Sequence, residues 1–136
     1  MKIHVYYHHT DCGGVVYYAN YLDFLEEART EYFASRGHSI KELADSGIMF
    51  VVSRQEVDYK SPAVYGDDLE VRTRVGSSSG VRMEFLHEIY NQDGRLIVKA
   101  RTILVCVDKN LRPRAIPEEL NGKLSVSEEG AGDAGS

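Results

Sequence analysis

Residues 7–29 read YHHTDCGGVVYYANYLDFLEEAR, and the period of the chain changes inside that stretch. Ahead of it, Ile3, Val5 and Tyr7 fall on one side, with Lys2, His4, Tyr6 and His8 on the other. A period of two predicts a half-buried strand. The pair Gly13-Gly14 ends it. From about Val16 to Arg36, Tyr18, Tyr21, Leu22, Leu25, Ala28, Tyr32 and Phe33 recur at steps of three and four, which predicts one apolar stripe of a helix. Asp23, Glu26, Glu27, Thr30 and Glu31 take the other side. Arg36 in the last turn suits the helix dipole, and Gly37 suits the position after the helix.

Ser39 and Glu42 have capping-box spacing, predicting a short helix over Ile40–Ser46 stopped by Gly47. Strands are then predicted at Phe50–Lys60, from Leu69 to Val75, from Val81 to Ile89 and from Arg95 to Val107. Pro62, the turn Tyr65-Gly66-Asp67-Asp68, the run Ser77-Ser78-Ser79-Gly80 and the hairpin signal Asn91-Gln92-Asp93-Gly94 separate them. A turn at Asp108-Lys109-Asn110 leads into a shorter segment, Arg112–Ile116. The order is strand, long helix, short helix, then long strands in meander with a terminal extension. An α+β class follows, and the economical packing wraps the antiparallel sheet around the one long apolar helix. Exposed strand edges favour dimers.

The length of 136 residues suits one domain, taken as 1–120, and the Gly-, Ser- and acid-rich segment 121–136 is expected to be a largely disordered tail. A net charge of −5 argues against nucleic acid as the main partner, although local arginines can hold a small phosphorylated ligand. The opening MKIHVYYHHT lacks an apolar signal core, and no apolar run is long enough to insert in a membrane. Two cysteines far apart, Cys12 and Cys106, point to reduced thiols and a cytoplasmic location.

Within residues 7–21 several chemistries compete. His4, His8, His9, Asp11 and Cys12 lack a recognised metal-ligand spacing, and a strand would turn His9 away from His4 and His8, so no metal is expected. Cys12 has histidines nearby, but a small residue beside a Gly-Gly turn explains it as well. The glycines lack the Lys-Ser/Thr of a phosphate loop. Asp11, after a strand and before a helix start, is placed either as a base beside free backbone N–H groups or as a cap of the turn. Spacing leaves those two readings level.

The same residues, Tyr7-His8-His9-Thr10-Asp11-Cys12-Gly13-Gly14-Val15-Val16-Tyr17-Tyr18-Ala19-Asn20-Tyr21 followed by LDFLEEAR, resemble the signature of the 4-hydroxybenzoyl-CoA thioesterase-like family. They are most similar to its members associated with the Tol-Pal cell-envelope system. FVVSRQEVDYKSPAVYGDDLEV and VCVDKNLRPRAIP resemble further family segments, so the likeness runs over about residues 3–118. It implies a hot-dog fold, dimeric or homotetrameric, with active sites at a dimer interface. It also implies a hydrolase cleaving acyl-CoA to free acid and CoA, with no cofactor beyond the CoA of the substrate and with an acyl carrier protein as a candidate partner.

Carried over by position, Asp11 is the catalytic base or nucleophile, the backbone N–H of Tyr18 polarises the thioester carbonyl, and Tyr7 assists. Arg112 and Arg114 match a basic pair that holds CoA phosphates, and Arg82 follows a turn bordering the same groove. The chain departs from the pattern where Tyr18 replaces a common histidine and His8-His9 replace acidic residues. Two other classes fit the same fold: an acyl-thioester dehydratase or hydratase, and a non-catalytic scaffold that binds acyl carriers. His87, alternating with Met83 and Phe85, reads as a satisfied core or interface histidine.

Overall fold

The computed structural model describes residues 1–121, so nearly all of the expected tail lies outside the described residues. The elements are β1 (Lys2–His4), a 3-10 turn (Tyr7–His9), α1 (Asn20–Ser35), α2 (Ile40–Asp45), β2 (Met49–Tyr59), β3 (Asp68–Ser79), β4 (Arg82–Tyr90) and β5 (Leu96–Val107). They form one five-stranded sheet in the order β1-β3-β4-β5-β2, antiparallel throughout. The meander is therefore β3-β4-β5. β2 precedes it in sequence but lies beyond it, against β5. α1 packs across the inner face of the sheet, the hot-dog arrangement.

Two predicted elements change length for local reasons. Val15 and Val16 do not open the helix, because they bridge to Val64 and Thr10. β-branched residues favour that extended backbone. α1 begins at Asn20, which leaves Tyr18 outside the helix and 60% exposed. Tyr21, Leu25, Ala28, Tyr32 and Phe33 are buried as the stripe predicts, joined by Phe24 and Arg29, whereas Leu22 faces out. The first strand likewise stops at His4, and Tyr7 stands 77% exposed on the 3-10 turn.

The serine run is strand rather than turn. Ser77, Ser78 and Ser79 pair with Glu84, Met83 and Arg82, after a bulge between Val75 and Ser77. Gly76 sits at that bulge, where any Cβ would collide with the Glu84 and Leu86 side chains. The reversal shrinks to Gly80-Val81, with Gly80 at φ +60°. The Asp93-Gly94 hairpin forms where its sequence predicts, Gly94 taking φ +77°. Ser39 caps α2 by accepting the Glu42 N–H at 3.3 Å. The segment after β5 makes one bridge, Val107 to Pro113, rather than a strand.

Polar groups sit among the apolar ones. His87 is 1% exposed, and its Nδ1 shares a 3.1 Å hydrogen bond with the Thr73 hydroxyl. Its Nε2 has no partner among the described residues. Arg29 is 8% exposed and donates to the Thr102 hydroxyl at 3.3 Å, and Thr102 donates on to Gln55 at 2.9 Å. No carboxylate among the described residues forms an ion pair with Arg29, and burial lowers its pKa despite nearby Glu26. It borders a cavity of about 240 Å³ between α1 and β2, lined also by Phe33, Phe50, Val52 and Leu104.

Burial, reinforced by the Arg29 charge, lowers the His87 pKa from 6.5 to about 3. Between those values the unfolded chain binds a proton that the native state refuses. The stability is thus complete above about pH 6.5 and drains as pH falls toward 3, by up to about 1.4 kcal/mol per unit. Urea unfolding across that window should show a steep acid limb for the wild type and a flatter one for His87→Gln. Parallel limbs would contradict a buried neutral imidazole.

Candidate active site

The loop between β1 and α1 folds back on itself before the helix begins. Tyr6 N–H donates to His9 Nδ1 at 2.9 Å, which closes the 3-10 turn and places the His9 ring proton on Nε2. Burial, with His8 and His4 nearby, lowers the His9 pKa. Thr10 N–H and Oγ1 both donate to the Tyr7 carbonyl, at 3.0 and 2.7 Å. Asp11 N–H then donates to Val15 O at 2.9 Å and Gly14 N–H to Asp11 O at 3.1 Å, making a tight reversal. Gly14 holds φ +82°, a conformation glycine adopts without the Cβ penalty of other residues.

Asp11 is exposed, and one carboxylate oxygen, Oδ1, accepts the Gly13 N–H at 2.8 Å. That bond makes Asp11 a turn residue in its own right. Oδ2 accepts no hydrogen bond from the described residues. The two readings that spacing left level are therefore compatible: one oxygen orients the carboxylate and the other faces outward.

The helix start lies beside it. Ala19, the N-cap residue, has no side chain able to cap. Asn20, Tyr21 and Leu22 N–H donate three residues back, to Tyr17, Tyr18 and Ala19. The N–H groups of Tyr18 and Ala19 reach no acceptor among the described residues. Such groups at a helix start carry partial positive charge and suit a developing oxyanion.

A belt of tyrosines surrounds this point. Tyr18 packs at 4.9 Å against Tyr17 and edge-on at 6.3 Å against Tyr59, and Tyr59 lies 5.8 Å from Tyr21. Tyr7 meets Tyr65 edge-on at 6.0 Å. Burial and the neighbouring Tyr18 raise the Tyr59 pKa. Below the belt, Asp67 is buried, accepts the Val64 N–H at 3.0 Å and the Gln92 amide at 3.0 Å, and so shapes the Ala63-Val64 floor. Tyr59, Tyr65 and Asp67 were not singled out as site residues in the sequence, because they come from the β2–β3 side of the fold.

The arginines lie elsewhere. Arg82 pairs with Val105, Arg114 N–H donates to Cys106 O at 2.9 Å, and Arg112 N–H donates to Asp108 Oδ1 at 3.1 Å. All three gather at the C-terminal end of β5. The Asp11 loop is tied to the other end, through Val16 N–H to Ala63 O, with Lys60 and Ser61 N–H donating to Ile97 O. About ten strand residues, on the order of 30 Å, separate the two within one protomer. Arg82 also lines a cavity of about 430 Å³ on the outer sheet face with Ser53, Ser77, Ser79, Arg54 and Arg101. Among the described residues no group of three His, Cys, Asp or Glu side chains could hold a metal. No helix among them is long and apolar enough to cross a membrane.

Residues 5–124 match the thioesterase-like superfamily. The acyl-CoA thioester hydrolase YbgC of Escherichia coli O6:H1 is 39% identical over 119 residues, 87% of this chain and 89% of that protein. The acyl-CoA thioesterase YbgC of Haemophilus influenzae is 36% identical over 120 residues, covering 87% and 88%. Among solved structures, the DHNA-CoA thioesterase of Staphylococcus aureus superposes with a TM-score of 0.87 at 27% identity, covering 100% of this chain and 93% of that one.

The turn geometry carries its own test. Gly14→Ala should lower the melting temperature by a few degrees, from about 1–2 kcal/mol of left-handed strain, measured by circular dichroism. An unchanged melting temperature would mean that the loop does not need this backbone.

Proposed function

The chain belongs to the thioesterase-like superfamily, and from that premise we propose that it hydrolyses acyl-CoA thioesters to free acid and CoA. The observation that carries the reading is one oriented carboxylate, Asp11, on a loop bonded to a helix start where the Tyr18 and Ala19 N–H groups reach no acceptor among the described residues. As a base, Asp11 Oδ2 takes a proton from water while the water oxygen attacks the carbonyl carbon. The oxyanion is held by the Tyr18 N–H, the C–S bond breaks, and the thiolate recovers the proton. As a nucleophile, the same oxygen forms a mixed anhydride, releases CoA and is freed by water. Tyr7, exposed near the loop, assists at its rim. The reaction uses water and no cofactor, and the Tyr18 N–H serves in it although the side chain is not histidine.

The same proposal makes the enzyme a dimer or tetramer in the cytoplasm, where unpaired Cys12 and Cys106 stay reduced. Its acyl groups arrive on CoA or on an acyl carrier protein. Three observations support a second copy. β2 is an eleven-residue edge strand with Val51 and Val52 exposed. Buried Arg29 borders an open cavity beside that edge. The arginines proposed to hold CoA phosphates, Arg82, Arg112 and Arg114, stand at the wrong end of their own sheet for Asp11. Antiparallel pairing of two β2 edges brings the Met49 end of one protomer to the Tyr59 end of the other, and with it the arginines to Asp11.

Asp11→Asn should lower kcat by about 100- to 10,000-fold with the fold intact, read as free thiol released from a panel of short, long and aromatic acyl-CoAs. Wild-type turnover by that variant would end the mechanism. The composite site has a separate test. Arg112→Ala/Arg114→Ala should raise KM for acyl-CoA about tenfold or more, but not for a thioester lacking the nucleotide. At acyl-CoA concentrations well below KM, where each variant alone is nearly silent, co-expressing that variant with Asp11→Asn yields mixed dimers with one intact site of two, so roughly a quarter of wild-type activity should return. No recovery would place both groups in one protomer.

A further inference from the structure

The loop that carries Asp11 meets the start of α1 through the His9 ring, edge-on to Phe24 at 5.2 Å, and through one shared acceptor. The His9 carbonyl accepts the Tyr17 N–H at 2.9 Å and the Asn20 side-chain amide at 2.8 Å. The first bond belongs to the backbone and any residue could make it. The second depends on the residue type. Asn20 is the first residue of α1, part-buried, and spans back eleven residues to the 3-10 turn.

The position is unusual for an asparagine. Asparagine is favoured one place earlier, as an N-cap whose side-chain oxygen accepts from the helix's own N–H groups. Here Ala19 holds the cap position and Asn20 points its donor outward, away from the helix backbone. α1 forgoes the stabilisation of a cap, typically about 1 kcal/mol. The Tyr18 and Ala19 N–H groups lie ahead of those a cap at this position would serve, and they reach no acceptor among the described residues. The helix start also needs another anchor, and the bond to His9 supplies it.

Resting on the thioesterase reading above, we infer that Asn20 is a positioning residue for catalysis: its amide, clamped on the His9 carbonyl, sets the separation between the Asp11 carboxylate and the Tyr18 N–H. It touches no substrate. Without it the loop keeps the hydrogen bond from Tyr17, the ring contact of His9 on Phe24 and the Val16 bond to Ala63, none of which fixes the His9 carbonyl from the helix's first residue. Displacing a reacting group by about 1 Å costs up to about a hundredfold in rate.

The test compares Asn20→Ala and Asn20→Asp with the wild type and Asp11→Asn, using benzoyl-CoA and butyryl-CoA. Asn20→Ala should lose about ten- to a hundredfold in kcat with KM within about twofold, because the phosphate contacts lie elsewhere. Asn20→Asp keeps the shape, loses the donor and puts an acid in the first helical turn, where the dipole stabilises it. Its melting temperature should stay within a few degrees of that of Asn20→Ala, because the helix dipole offsets the carboxylate's repulsion from the His9 carbonyl, while kcat falls further, a split that a purely structural role does not produce. Asn20→Ser, which retains a hydroxyl donor, should recover part of the loss. Wild-type kcat in Asn20→Ala, or a loss that tracks the melting temperature across the three variants, overturns the inference. If Asp11→Asn is inactive and the Asn20 variants are normal, this inference alone fails. If Asp11→Asn is fully active, the thioesterase mechanism fails with it.

Discussion

Everything else in this fold depends on the seating of the α1 stripe against the inner face of the sheet. Leu25 and Phe33 are fully buried there, and each large side chain of this kind is worth about 2–5 kcal/mol against truncation. A helix cap is worth about 1 kcal/mol. Packing therefore decides where the helix lies, and its uncapped start is tolerated. That margin leaves the start of α1 without a side-chain cap, and the Tyr18 and Ala19 N–H groups just ahead of it reach no acceptor among the described residues.

The sheet has two unlike faces. Its inner face is largely apolar, interrupted by His87 with Thr73, by Thr102 with Gln55, and by the Arg29 that reaches down from α1. Its outer face carries the chain Arg54, Glu56, Arg101 and Glu84, surface ion pairs of the kind that contribute little to stability. The Arg54–Glu56 pair lies within β2, whereas the two Arg101 pairs bridge β5 to β2 and to β4 and favour the observed register without supplying much stability. The inner polar groups are different. A guanidinium at 8% exposure with no carboxylate partner among the described residues is a costly arrangement for an isolated protomer. Its place beside the unpaired β2 edge is where a second copy would cover it.

Periodicity and turn chemistry made much of this legible. The alternation of Met83, Phe85, His87 and Ile89, the Asp93-Gly94 hairpin and the Ser39–Glu42 cap appear where their patterns predict. The misreadings have physical causes. Val15 and Val16 continue the apolar spacing of the helix but are held extended by bridges to Val64 and Thr10, so Tyr18 falls outside it. The serine run looks like a turn, yet a bulge at Gly76 lets it pair with β4. Of the candidate site, Asp11 and the glycines were legible because their residue types are unusual together. The tyrosines of β2 and the turn after it, and the Asp67 beneath them, were not, since nothing local links residues 59–67 to residue 11.

By itself the sequence determined the element types, the stripe that must be buried, and the one motif able to orient a carboxylate ahead of a helix, because those follow from side-chain chemistry and spacing. The tertiary structure decided where β2 goes, where α1 begins, and which backbone groups remain open. It also set Asp11 and the three arginines at opposite ends of β5. Hydrogen-bond acceptors such as the His9 carbonyl are common to every residue and leave no mark in a sequence. Only the folded chain selects which of them holds the loop to the helix.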